Sequence, residues 1–150
     1  MLYVVADPEL WEIEEMLDIV GRAHDLDDIL PKLDNMTRAE FLKMGWCYLW
    51  YDADTLEPLG YSAFVFYDAK TPEFMFGATE FARPRHILAA ARAMLRVMRV
   101  SLKNKVRVYI DNERIAKLAA QCGFRQSRKH DKNYKNIWIR GRVWAKDRAM

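Results

Sequence analysis

The spacing of apolar and polar positions changes period several times along this chain, and each change marks a change of element. Leu2 to Val5 is a short apolar run, and Asp7 followed by Pro8 supplies an N-cap and a first-turn proline for a helix. Leu10, Ile13, Leu17 and Val20 then recur at helical spacing, with Glu12, Glu14, Glu15 and Asp18 largely outside that stripe, until Gly21 ends it. Leu26, Ile29, Leu30 and Leu33 predict a second short helix. Thr37, with Glu40 three residues on, forms a capping-box pattern for a third that runs to about Met44.

From Gly45 onward the pattern is extended, with aromatic and β-branched residues in runs bounded by turn residues. Trp46 to Tyr51, Leu59 to Tyr67 and Glu73 to Thr79 read as three strands. Their connections are rich in Asp, Thr and Pro, which predicts an antiparallel meander. Pro84 marks the first turn of the clearest helix. Ile87, Leu88, Ala91, Met94, Leu95, Met98 and Leu102 form its apolar face, while Arg85, Arg92, Arg96, Arg99 and Lys103 line another. Lys105 to Ile110 alternates as a strand does. Asp111 and Asn112 can cap a helix containing Ile115, Leu118, Ala119 and Cys122, with Gly123 at its left-handed end. Arg125 to Arg128 and Asn136 to Val143 read as a closing hairpin.

This order predicts an α/β fold with a mixed, mostly antiparallel central sheet flanked by helices. A length of 150 residues, with 51% hydrophobic residues and no Pro/Gly-rich linker, repeat or low-complexity tract, fits one domain spanning 1–150. No apolar run approaches the roughly 20 residues of a membrane helix. The N-terminus is acidic where a signal peptide would be basic, so the expected location is cytoplasmic. Two cysteines, Cys47 and Cys122, are too few for a disulfide framework and read as core fillers.

The segment Val106-Arg-Val-Tyr-Ile-Asp-Asn112, then Ile115, Leu118 and Gly123-Phe124, resembles a pattern of the GNAT superfamily of N-acetyltransferases: an apolar strand ending in Asn, a helix, and a terminal Gly-Phe. The order of elements is similar to that family along almost the whole chain. The resemblance implies a GNAT-like (acyl-CoA N-acyltransferase) fold, acetyl-CoA as cofactor and an amine as substrate. On the same footing it makes Glu80, at the end of the meander, a catalytic proton relay. It makes Arg83, Arg85, His86 and Asn112 cofactor-binding residues of an active enzyme.

Two departures bear on that chemistry. GNAT enzymes hold the cofactor pyrophosphate on the backbone N–H groups of a Gln/Arg-x-x-Gly-x-Gly/Ala loop, where the main chain must approach the phosphates closely. Here the stretch is Arg83-Pro84-Arg85-His86-Ile87-Leu88, with side chains in place of the small residues and one N–H removed by Pro84. Many members also place a tyrosine four residues before the glycine of Gly-Phe, as the acid that protonates the leaving thiolate; that position is Ala119, which leaves Tyr109 and Tyr134 as candidates. Absence of both features resembles the GNAT-like internal virion protein of T7-type bacteriophages.

Charge adds a second theme. Residues 1–40 hold 3 basic and 11 acidic residues, 41–80 hold 2 and 6, and 81–150 hold 19 and 4, an asymmetry that attracts polyanions to the second half. The tail from Arg125 to Arg148 interleaves its basic residues with Tyr134, Trp138 and Trp144, a combination suited to nucleic acid and equally to an edge hairpin protected by charge. His24, His86 and His130 lack metal-ligand spacing, and no Gly-x-Ser-x-Gly or Walker loop is present. Trp46, Tyr48, Trp50 and Tyr51 read as core and inter-strand packing, with a hydrophobic substrate groove as the sharper alternative.

Three functions follow as expectations. The first is a GNAT-fold protein without efficient acetyl-CoA catalysis, acting as an accessory or structural component and partnering other virion proteins. The second is a divergent N-acetyltransferase, and the third a nucleic-acid-binding module using the basic second half.

Overall fold

Glu9, rather than Asp7, starts the first helix. In the computed structural model, which describes residues 1–21, 36–65, 73–101, 106–109, 113–126 and 137–140, strand β1 (Leu2–Ala6) is followed by Asp7 at φ 48° and then by helix α1 (Leu10–Val20). Asp tolerates the left-handed region, so Asp7 serves the turn and is lost as a cap. Lys43 Nζ holds that turn, donating to Asp7 Oδ1 at 3.0 Å and to Pro8 O at 2.7 Å. Glu9 and Glu12 close the capping box instead, with Glu9 N–H donating to Glu12 Oε1 at 3.0 Å. Helix α2 (Arg38–Met44) starts as its sequence predicts: Glu40 N–H donates to Thr37 Oγ1 at 3.1 Å. The short helix expected around 26–33 lies outside the described residues.

Strands β2 (Trp46–Asp52), β3 (Pro58–Val65) and β4 (Glu73–Ala78) form the expected antiparallel meander. Helix α3 (Pro84–Ser101) crosses to β5 (Val106–Tyr109), which pairs parallel with β4 at Glu73↔Arg107 and Phe74↔Val108. Helix α4 (Glu113–Gln121) then leads through Gly123, at φ 91°, to the antiparallel pair β6 (Arg125–Gln126) and β7 (Ile137–Arg140). The seven strands order as β1-β2-β3-β4-β5-β7-β6, a mixed and mostly antiparallel sheet.

Period-two alternation sends the strand side chains into two cores. Cys47, Leu49, Tyr61, Ala63, Val65 and Met75 pack with Ile13, Met16 and Leu17 of α1 and Phe41 and Leu42 of α2. Trp50, Phe64 and Phe74 face the other way, against Met94 of α3 and Cys122 and Phe124 at the end of α4. Full burial of a Leu or Ile side chain contributes about 1.5–3 kcal/mol, and Ile13, Leu42 and Leu49 are each wholly buried. One irregularity crosses the pattern. The β2–β3 register runs Trp50↔Gly60 and then Tyr51↔Pro58, so Leu59 is an extra residue. This bulge turns Leu59 onto the α3 side, where alternation alone would have sent it to the other face.

Candidate functional site

The α3 side of the sheet is where packing is incomplete. A cavity of about 60 Å³ lies between β3, β4, α3 and α4. Its origin is a run of small residues: Ala82, Ala90, Ala91 and Ala119 line it from the helical side, and Gly60 contributes no side chain from the sheet, while Gly77, whose Cβ would point to the α1 face at Tyr61 and Val20, borders it with backbone. Neither glycine has room for one. A Cβ on Gly60 would overlap the Gly77 carbonyl, and one on Gly77 would meet the Tyr61 ring. Gly60 also sits at φ 150°, which disfavours an L side chain. Thr79 ties the end of β4 back to β3, donating its hydroxyl to Pro58 O at 2.6 Å while its N–H donates to Leu59 O at 2.9 Å.

Among the described residues, no Asp, Glu, Lys or Arg side chain lines the cavity. Its polar groups are few. Ser62 is 2% exposed, and its Oγ accepts the Trp50 indole N–H at 2.7 Å. His86 reaches the cavity from the first turn of α3, with its Nδ1 accepting the Arg83 N–H at 2.9 Å. That bond requires an unprotonated Nδ1, which places the proton of a neutral ring on Nε2. Nε2 lies 3.9 Å from Asp52 Oδ2, too far for a hydrogen bond. Burial and the neighbouring Arg85 push the His86 pKa below 6.5, and the opposing pull of Asp52 does not overcome them. Asp52 is held below the usual carboxylate range by the N–H groups of Thr55 and Asp54, at 3.0 and 2.8 Å from its Oδ1.

Of the described residues nominated for catalysis or cofactor binding, Glu80, Arg83, Arg85 and His86, it is His86 that reaches the cavity. Glu80 is exposed in the turn after β4, and Arg83 and Arg85 are exposed at the start of α3. Asn112 and Tyr134 lie outside the described residues. Arg85, Arg92 and Arg96 are exposed along α3, as the basic stripe predicted. Ala119, in the position of the family's tyrosine, lines the cavity beside Cys122. The expected packing role of the β2 aromatics holds for Trp50, while Trp46 is 38% exposed and meets Phe64 edge-on at 6.4 Å. Both cysteines are buried, and burial pushes the Cys47 thiol up to about 12.

Ser62 and Asp52 were not singled out by sequence reasoning. Ser62 had a signal, since it is the one serine inside the apolar run Leu59 to Val65. Asp52 had none, because its neighbour in space is 34 positions away in the chain.

The start of α3 carries the residues that the sequence resemblance assigned to a cofactor, and its amides can be accounted for individually. Pro84 has none. Arg83 gives its N–H to the His86 ring, and His86 and Ile87 give theirs to Arg83 O at 2.9 and 3.2 Å. Arg85 keeps the one N–H of this turn without an acceptor among the described residues. A diphosphate held by several converging amides does not fit this turn.

The solved structures that resemble this chain agree on its fold. An N-acetyltransferase from Staphylococcus aureus superposes with a TM-score of 0.68 at 9% identity, over 95% of this chain and 99% of its own. The Campylobacter jejuni N-acetyltransferase PseH gives 0.59 at 17% identity over 93% and 97%. The spermidine N-acetyltransferase SpeG of Vibrio cholerae, in complex with CoA and spermine, gives 0.59 at 12% identity over 92% of each chain. No sequence-family model and no curated protein sequence matches. The chain therefore has the GNAT fold.

Proposed function

We propose that this chain is a GNAT-fold protein that has lost efficient acetyl-CoA catalysis and serves as an accessory or structural component, including as part of a phage particle. The observation that carries this reading is the state of the α3 first turn. One unshared N–H, on Arg85, stands where anion recognition at a helix start needs several converging donors. Ala119 in place of a hydroxyl-bearing residue and the exposed position of Glu80 support it further. A relay carboxylate must come within hydrogen-bond reach of an amine held at the reacting centre, and Glu80 is absent from the cavity wall.

Calorimetric titration with acetyl-CoA tests the reading, together with an assay for acetyl transfer to spermine. The expected outcome is neither micromolar binding nor turnover. Tight binding accompanied by transfer to an amine would overturn it.

A second reading, a divergent N-acetyltransferase, is favoured by one specific observation. Ala78 at the end of β4 and His86 in the first turn of α3 border one cavity. In this reading Arg83, Arg85 and His86 retain the cofactor, with Arg85 supplying both its guanidinium and its backbone N–H to a phosphate. Arg85→Ala then lowers acetyl-CoA affinity about tenfold, by loss of one charged hydrogen-bonding group. An unchanged affinity would remove this reading.

A further inference from the structure

Strand β1 ends the sheet on one side, and its outer edge is open among the described residues. Ala53 N–H donates to Met1 O at 3.0 Å, which makes Met1 and Ala53 a hydrogen-bonded pair of the antiparallel ladder. The unbroken register from Leu2↔Asp52 to Ala6↔Tyr48 carries that phase along the strand. Tyr3 and Val5 therefore exchange their bonds with β2, while the N–H and C=O groups of Leu2, Val4 and Ala6 point away from the sheet and meet no partner among the described residues. Natural edge strands are usually blunted by charge, proline or a bulge. β1 has none of these: it reads Leu-Tyr-Val-Val-Ala, and Tyr3 and Val4 are 52% and 42% exposed.

Charge and parity narrow what could pair with this edge. Leu2 packs toward α3, and alternation puts Val4 on the same side. Val5 packs toward α1, on the side where the Tyr3 ring lies 6.0 Å from that of Tyr51. Burial, and after it the carboxylates of Glu12 and Glu15, raise the Tyr51 pKa, so both acids stand over this end of the sheet. An added strand thus meets apolar groups on one face and an aromatic ring below two carboxylates on the other. A second β1 does not fit, because it carries no cation and brings its own Glu12 and Glu15 to the same side. The stretch Arg142-Val-Trp-Ala-Lys146 does fit: Val143 and Ala145 alternate with Arg142, Trp144 and Lys146. It cannot reach β1 of its own chain. A strand outside β1 lies six strand spacings from β7, or roughly 29 Å, whereas the three residues from Arg140 to Val143 span at most about 11 Å.

We infer that the β1 edge accepts residues 142–146 of a second copy of this chain as an added β-strand. Leu2, Val4 and Ala6 supply the main-chain bonds. Val143 and Ala145 lie on the side of Leu2 and Val4, while Arg142 and Lys146 face Glu12 and Glu15, with Trp144 beside Tyr3. Each copy offers one edge and one tail, so the contact joins unlike surfaces and recruits copies head to tail. The contact uses no feature of the α3 turn and stands whether or not acetyl-CoA binds this chain.

Sedimentation of the full-length protein over a concentration series tests this, with two proline variants that each remove one half of the contact. Wild type should show an average mass that rises with concentration and falls with added salt. Val4→Pro removes an N–H that points away from β2, so the β1–β2 ladder is kept while the edge is blocked. Val143→Pro spoils the donor strand instead. Each variant alone should associate about tenfold more weakly or worse. An equimolar mixture of the two should form a one-to-one complex, because each retains the half that the other has lost. A wild type that stays monomeric overturns the inference, as does a mixture that does not associate. Wild-type association of Val143→Pro also overturns it, and would assign the edge to a β1–β1 dimer. Val143 follows β7 in the chain, so that variant decides the matter even if Val4→Pro fails to fold, with circular dichroism confirming its own fold.

Discussion

The two faces of the sheet bury similar numbers of strand residues, yet they reach different ends. On the α1/α2 face, branched and long side chains meet one another, and Ile13, Leu42, Leu49, Ala63 and Met75 have no exposed surface at all. On the α3/α4 face the helices present alanines and the sheet presents Gly60, and large aromatics surround the gap without closing it. Protein interiors pack to near-crystalline density, so an apolar gap of this kind forgoes contact energy that a bulkier residue would recover. The contrast teaches that hydrophobicity alone does not close a core. Volume has to match across the layer, and on one face it does not.

The largest effect should come from removing volume on the closed face. Leu49→Ala is expected to cost about 2–5 kcal/mol, read as a fall in the midpoint of urea denaturation; a cost near zero would mean that this face is no better filled than the other.

Adding volume sharpens the comparison. Ala63→Leu, on the closed face, should cost about 1–3 kcal/mol through overpacking. Ala91→Leu places the same atoms into the open face and should stay within about 1 kcal/mol of the parent. Equal penalties for the two would show the cavity to be too narrow for the added group.

The smallest effect concerns the rim. The folded-state pKa of His86 is depressed below its ordinary 6.5, so the unfolded chain binds a proton at that ring more readily than the folded chain does. Stability contributed by the neutral ring is therefore present above 6.5 and is lost as pH falls through 6.5 toward the depressed folded value. Arg83, Arg85, the N-terminus and Asp52 are the charged groups around it. His86→Asn keeps an acceptor for the Arg83 N–H but cannot titrate. It should flatten the pH dependence of unfolding between about pH 7.5 and 5.5 relative to wild type; identical slopes would remove His86 as their source.

Local periodicity determined a great deal of this protein. The helical stripes of α1 and α3, the Thr37–Glu40 box, the three-strand meander and the left-handed Gly123 depend on residues within a few positions of one another, and each can be read along the chain. Charge alternation on α3 was legible for the same reason. The α1 cap was misread because the chain offers two acidic residues near the turn, and only the path of the backbone decides which one becomes the cap.

The site was mostly the work of tertiary structure. His86 was legible as a residue at a helix start, but its ring turns back on the Arg83 amide and faces Asp52 from across the fold, and no spacing rule encodes that. Leu59 changes face because a bulge adds one residue to β3, which breaks the parity on which strand reading relies. Ser62 finds a partner in the Trp50 indole N–H because Trp50, twelve positions away, faces it from the neighbouring strand. Near neighbours set the elements; the unfilled volume, and the polar groups that look into it, exist only once distant segments have packed.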